Sequence, residues 1–208
     1  MTVHANQPIL ARGPAPLTAR LTTVVVHGRG GSAEDMLSLA DALDIGDVAY
    51  LAPQASDRTW YPKTFLAPMD ENEPHLSSAL ETLASVVRDL DAGGVPAGRV
   101  ALMGFSQGGC LALEFAARHA RRYAAVIGLS AGLIGPPGTP RRYAGSLAGT
   151  PVFIGCSDVD AHIPLDRVHE SAAALRALGA VVDERIYPGM GHTVNDDELE
   201  AVRAMLRP

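Results

Sequence analysis

The sequence has little with which to build a metal site or a disulfide scaffold. Only two cysteines, Cys110 and Cys156, stand among its 208 residues, and no CxxC or metal-like spacing joins them. Both lie in or beside strongly apolar segments, the setting of buried free thiols in a reducing compartment. There is no run of about 18 apolar residues that could span a membrane. The N-terminal "MTVHANQPILARGPAP" lacks the charged start and apolar core of an export signal, so a soluble, cytoplasmic protein is expected. Basic charge is also in deficit. Lys and Arg number 17 against 23 Asp and Glu, a formal net charge of −6 that offers nucleic acid no electrostatic footprint. No repeat of about 20 to 50 residues and no low-complexity tract interrupts the chain.

What is present is an apolar fraction of 47 % over a length that suits one domain around one core. Residues 1–208 are therefore read as a single domain, with 1–20 as an N-terminal extension or an edge strand. Short β-favouring runs bounded by Gly, Pro or Asp recur at 21–27, 48–53, 99–105, 123–130, 151–157 and 183–188. Helical patterns alternate with them. Leu76, Leu80, Leu83 and Val87 mark one, and Leu165, Val168, Ala172 and Leu175 a second that begins at Pro164 and stops at Gly179. Asn195 or Asp196 can cap a last helix whose inner face is Leu199, Val202 and Leu206. Alternation of this kind, with strands apolar along their whole length, implies an α/β fold: a mostly parallel sheet with helices on both faces. Sites in such sheets form at the carboxyl ends of strands. Two long segments, 54–74 and 131–149, leave strand ends without periodic patterning and can line or cover a site. The only tryptophan, Trp60, and its neighbour Tyr61 direct attention to the first of them.

"VALMGFSQGGCLALEF" (100–115) carries the strongest chemical signal. Ser106 satisfies G-x-S-x-G between a strand run and a helical run, the context of a nucleophile elbow. Small neighbours let the backbone turn sharply and lift the hydroxyl above the sheet edge. A helix N-terminus there favours developing negative charge, and the N–H of Gln107 is one expected oxyanion donor. "HGRGGS" (27–32) follows another strand; its glycines, Gly28 among them, allow close approach to a reacting carbon, and the Arg29 N–H is the expected second donor. The absent Lys-Ser/Thr ending argues against a nucleotide loop. A serine hydroxyl needs a base. Among the histidines, His192 follows the last strand run in a glycine turn, whereas His27 is read as a brace for its loop and His4, His75, His119 and His169 as lying on a tail or helices. The orienting acid should fall between serine and histidine in the chain, which leaves Asp158 and Asp160, with Asp160 preferred.

Through "HGRGGS", "APQ", "GFSQGG", "SDVDAHIP" and "GMGH" the chain resembles the carboxylesterase, lysophospholipase and acyl-protein thioesterase branch of the α/β-hydrolases. The likeness covers about residues 21–206. It implies an α/β-hydrolase fold with no separate cap domain. It also implies catalysis by Ser106, Asp160 and His192, Asp160 matching the D-x-D-x-x-[VI]-P setting, and oxyanion donors at Arg29 and Gln107. No metal or organic cofactor is called for, and a monomer or homodimer acting on a small-molecule ester is expected. Arg29 stands where thioesterases of the branch commonly carry an apolar residue, and "DRTWYPKTF" lies in a variable loop. Both departures point away from long lipid acyl chains, toward a smaller ester with a ring or a carboxylate. Trp60, Tyr61 and Gly28 are the expected substrate contacts.

Overall fold

The computed structural model describes residues 3–207. Its strands are β1 (Ile9–Arg12), β2 (Leu21–Val26), β3 (Val48–Pro53), β4 (Val100–Phe105), β5 (Ala125–Leu129), β6 (Pro151–Ser157) and β7 (Val181–Tyr187). Its helices are α1 (Ala33–Leu43), α2 (His75–Ala92), α3 (Gln107–Arg118), α4 (Leu165–Ala177) and α5 (Asp196–Leu206). The strands form one sheet in the order β1-β3-β2-β4-β5-β6-β7, with β1 antiparallel to β3 and every other pairing parallel. β1 is an edge strand within residues 1–20, one of the two readings given for that segment, and α1 adds to the elements read from the sequence. α1 opens with a reciprocal cap, Ser32 Oγ accepting from the Asp35 N–H while Asp35 accepts from the Ser32 N–H.

Strand residues alternate between two apolar layers. Val24, Val26, Leu102 and Ile154 pack against α2, α3 and α4, whereas Val25, Met103, Ile127 and Phe153 pack against α1 and α5. Because both faces are covered, the inner strands β2 to β6 read as nearly continuous apolar runs. The chain steps outward from β2 to β3 and then returns across β2 to β4. This reversal opens a crevice beyond the carboxyl ends of β2 and β4, where open α/β sheets place their ligands.

The helix after β7 is fixed by Asn195 and Glu198, which cap each other's N–H groups at 2.8 and 3.0 Å. Glu198 is fully buried, its Oε1 has no hydrogen-bond partner, and a Cβ at Gly155 would meet that atom at 2.2 Å. Burial pushes its carboxyl up from 4.5 to about 7. A group whose pKa rises on folding stabilises fully below its unfolded value, and that contribution is lost as pH rises through the folded value. The window here is about pH 4.5 to 7. Glu198→Gln keeps a carbonyl for the cap and removes the titration. It is therefore expected to gain on wild type by about 2 kcal/mol between pH 5 and pH 8, read by urea unfolding at both pH values. A gap between the two proteins that does not change with pH would contradict this.

Candidate active site

Ser106 lies between β4 and α3 at φ +53°, ψ −121°, a conformation costly for any side chain but held from both sides. Its N–H donates to the Leu129 carbonyl at 2.9 Å, and its own carbonyl accepts from the Cys110 N–H at 2.9 Å. The surrounding glycines are required by contact. A Cβ on Gly104 would sit 2.3 Å from the Gly108 backbone, and one on Gly108 would sit 2.1 Å from the Val26 carbonyl. Helix α3 thus presses onto β2 and β4 with no room for side chains, and the serine is lifted above the sheet edge.

His192 reaches Ser106 from the loop after β7. Its Nε2 lies 2.8 Å from Ser106 Oγ and its Nδ1 2.7 Å from Asp160 Oδ2. With Asp160 ionised, Nδ1 carries the proton and Nε2 presents its lone pair to the hydroxyl. The ring lies beside Phe105, 5.1 Å between centroids, and edge-on to His162 at 4.7 Å. The Asp160 side chain is completely shielded from solvent. Burial opposes its ionisation, but the hydrogen bond from His192 and those from the His162 and Ile163 N–H groups (2.8 and 3.0 Å) outweigh that and hold it below the usual carboxylate range. Asp158 serves otherwise, accepting from the Gly189 N–H at 2.8 Å and bracing the turn that carries His192.

Gln107 opens α3, so its N–H is one of the donors a helix N-terminus leaves without an intrahelical acceptor. Its buried side chain bolts the 54–74 segment in place: Oε1 accepts from the Trp60 N–H at 2.9 Å and Nε2 donates to the Tyr61 carbonyl at 2.8 Å. Arg29 does the same from the other loop. Its guanidinium donates to the Pro62 and Lys63 carbonyls at 3.0 and 2.5 Å.

Next to Ser106 opens a cavity of about 640 Å³. Tyr61, Phe65 and Phe105 supply rings to its lining; Gly28, Arg29, Lys63, Gln107 and His162 also border it. Trp60 does not. It is wholly buried behind the wall, its Nε1–H donating to the His27 carbonyl at 2.9 Å and its ring tilted by 33° against the His27 ring, 5.1 Å between centroids. The expectation that Trp60 touches substrate is thereby corrected: an indole in a loop can anchor the loop as readily as line a pocket. His4 is likewise no tail residue. Buried, it accepts from the Ser56 N–H at 3.1 Å and donates to the Trp60 carbonyl at 2.9 Å. Its partners lie over 50 residues away in the chain, so no local pattern announced it.

His27 accepts from the Ala55 N–H at 3.1 Å and donates from Nδ1 to the Gly28 carbonyl at 2.8 Å, and burial lowers the pKa of both His4 and His27. Both histidines are therefore neutral braces. Burial also pushes the Cys110 and Cys156 thiols up to about 12, so both stay protonated near neutral pH. Among the described residues no group of His, Cys, Asp and Glu is arranged to hold a metal ion, and no helix is long and apolar enough to cross a membrane.

A mostly parallel sheet with a serine on the β4–α3 turn and the histidine after β7 defines an α/β-hydrolase-fold protein. Residues 17–208 match the Phospholipase/Carboxylesterase family, to which the chain belongs. A solved phospholipase/carboxylesterase from Dyadobacter fermentans is 40 % identical, covers 100 % of this chain and 99 % of its own, and superposes with a TM-score of 0.95. An acyl-protein thioesterase 1 of Gibberella zeae is 33 % identical over 131 residues, 59 % of this chain and 52 % of the relative. One of Neurospora crassa is 28 % identical over 127 residues, 58 % and 50 % respectively. The chain thus spans about half the length of these curated relatives.

Proposed function

We propose that the protein hydrolyses carboxylic esters of small molecules, thioesters included, through a triad of Ser106, His192 and Asp160 and an acyl-enzyme. One observation carries this reading: a single imidazole is hydrogen-bonded to Ser106 Oγ on one side and to a shielded carboxylate on the other, beside an open cavity.

His192 Nε2 takes the Ser106 proton as Oγ attacks the acyl carbon, and Asp160 stabilises the resulting imidazolium. The N–H groups of Arg29 and Gln107 receive the tetrahedral oxyanion; loss of one such donor costs about 3 kcal/mol of barrier. The imidazolium then protonates the departing alcohol or thiol. Water, deprotonated by the same nitrogen, attacks the acyl-enzyme; Ser106 regains its proton and the acid is released.

The aromatic lining and the cavity volume favour short-chain or aromatic esters, a size that pockets of this kind enclose. The fungal relatives' names favour a second reading, hydrolysis of long-chain acyl groups. A panel of esters and thioesters graded by chain length decides between them. A fluorophosphonate should label Ser106 stoichiometrically, which a non-catalytic binding relative would not allow, and peptide amides should be poor substrates if the protein is no peptidase. Failure of labelling in folded protein would end the hydrolase reading.

Trp60 supplies a separate check. Trp60→Phe removes the N–H that meets the His27 carbonyl, at a cost of about 1 to 2 kcal/mol. The thermal midpoint is expected to fall, while the kcat/KM ratio among short, aromatic and long-chain esters stays unchanged. A shifted ratio would return Trp60 to the substrate wall.

A further inference from the structure

Lys63 is the only lysine in the sequence; every other permanent side-chain cation is an arginine. It lies at the border of the cavity beside Ser106. Every ion pair among the described residues takes an arginine or a histidine as its cation, so Lys63 is matched with no carboxylate. Arg29, at the same border, donates only to backbone carbonyls and likewise has no acidic partner. No aspartate or glutamate lines the cavity. In a chain of net charge −6, the entrance to the site is a place where positive charge is left unopposed.

The backbone that carries Lys63 is held in place. Its N–H donates to Oδ1 of the fully buried Asn72 at 2.8 Å, its carbonyl accepts from Arg29, and Asn72 Nδ2 also holds the Thr64 carbonyl at 3.0 Å. The root of the side chain is thus fixed at the cavity border, while its four-carbon stem and three ammonium donors remain free to follow a ligand.

Taking Ser106 as the nucleophile proposed above, we infer that the natural ester bears an oxyanion, a carboxylate or a phosphate, which the Lys63 ammonium binds with support from the charge of Arg29. Unopposed positive charge at a cavity mouth draws an anionic substrate from solution and orients it. The bound anion would replace the carboxylate partner that the protein withholds from this lysine.

The test compares kcat/KM for matched pairs in wild type, Lys63→Met and Lys63→Glu, all shown to fold by their thermal midpoints. 4-Acetoxybenzoate against its methyl ester places the charge on the leaving side. Monophenyl succinate against its methyl ester places it on the acyl side, and 4-acetoxyphenyl phosphate separates phosphate from carboxylate. The anionic-to-neutral ratio of at least one pair should fall about 10-fold in Lys63→Met and further in Lys63→Glu, and should shrink with added salt in wild type. Intrinsic reactivity cancels, because each ratio is compared with itself across variants. Turnover with ratios unaffected by either substitution overturns the proposal while leaving the hydrolase reading intact. Absence of both turnover and fluorophosphonate labelling defeats the hydrolase reading, and the proposal with it.

Discussion

Ser106→Ala is expected to lower kcat by about 10⁶ without unfolding the protein, and His192→Ala by a similar factor. The backbone at Ser106 is set by its hydrogen bonds to Leu129 and Cys110, neither of which uses the side chain, so alanine inherits the same turn. What disappears is the one oxygen within 2.8 Å of His192 Nε2. Under the proposed mechanism the double variant should be scarcely worse than either single one, because a nucleophile and its base act as a unit and each is idle without the other. Rates on a short aryl ester, with circular dichroism to establish folding, measure this. Near wild-type turnover by Ser106→Ala, or strict multiplication of the two losses, would remove these residues from the mechanism.

Asp160→Asn is expected to cost about 10⁴ in kcat. An asparagine there can keep its carbonyl on the His162 and Ile163 N–H groups, which leaves its amide nitrogen facing His192 Nδ1. An N–H facing Nδ1 forces the proton to Nε2, where it points at the serine and blocks proton transfer. Asp158→Asn keeps a carbonyl for the Gly189 N–H and should cost less than about 10-fold. If purified, folded variants ranked the other way, the orienting acid would be Asp158. Acid lability accompanies the same assignment. Because the pKa of Asp160 is lowered on folding, its stabilising contribution is present above the ordinary carboxylate value and is lost as pH falls through the folded one.

The residues that were legible in the sequence owe their visibility to local rules. Glycines at 104, 108 and 109 admit a close strand-to-helix turn, and that constraint is written within six positions. Strand ends were equally visible, because a sheet covered on both faces demands unbroken apolar runs. Asp160 and His192, 32 residues apart, could be paired because each follows a β-favouring run, the one before His192 a half-buried strand with polar residues at 183 to 185. Between an extension and an edge strand for residues 1–20 the sequence left the choice open: a mostly exposed edge strand carries no alternation, and only its pairing with β3, about 40 residues on, defines it. α1 did carry signals, a serine cap with Asp35 three positions on and Met36, Leu37, Ala40 and Leu43 on one face, which the glycine-rich approach to it overshadowed. Trp60 and Tyr61 illustrate a harder limit. Adjacent rings in a loop declare that something is packed, but which ring meets the cavity depends on His27 and Gln107, which lie over 30 residues distant.

The way Gln107 grips the neighbouring segment also bears on how this scaffold diversifies. Both bonds of its amide go to main-chain atoms of residues 60 and 61, and Arg29 likewise holds main-chain carbonyls at 62 and 63. An attachment made through the peptide backbone is indifferent to the identity of the side chains it carries. Lineages, or libraries, can therefore exchange the residues at 61 to 65 that line the cavity and keep the backbone around Ser106, Gln107 and Arg29 in register. Selectivity and chemical competence become separable traits, the first free to drift while the second is conserved by a lattice of amides.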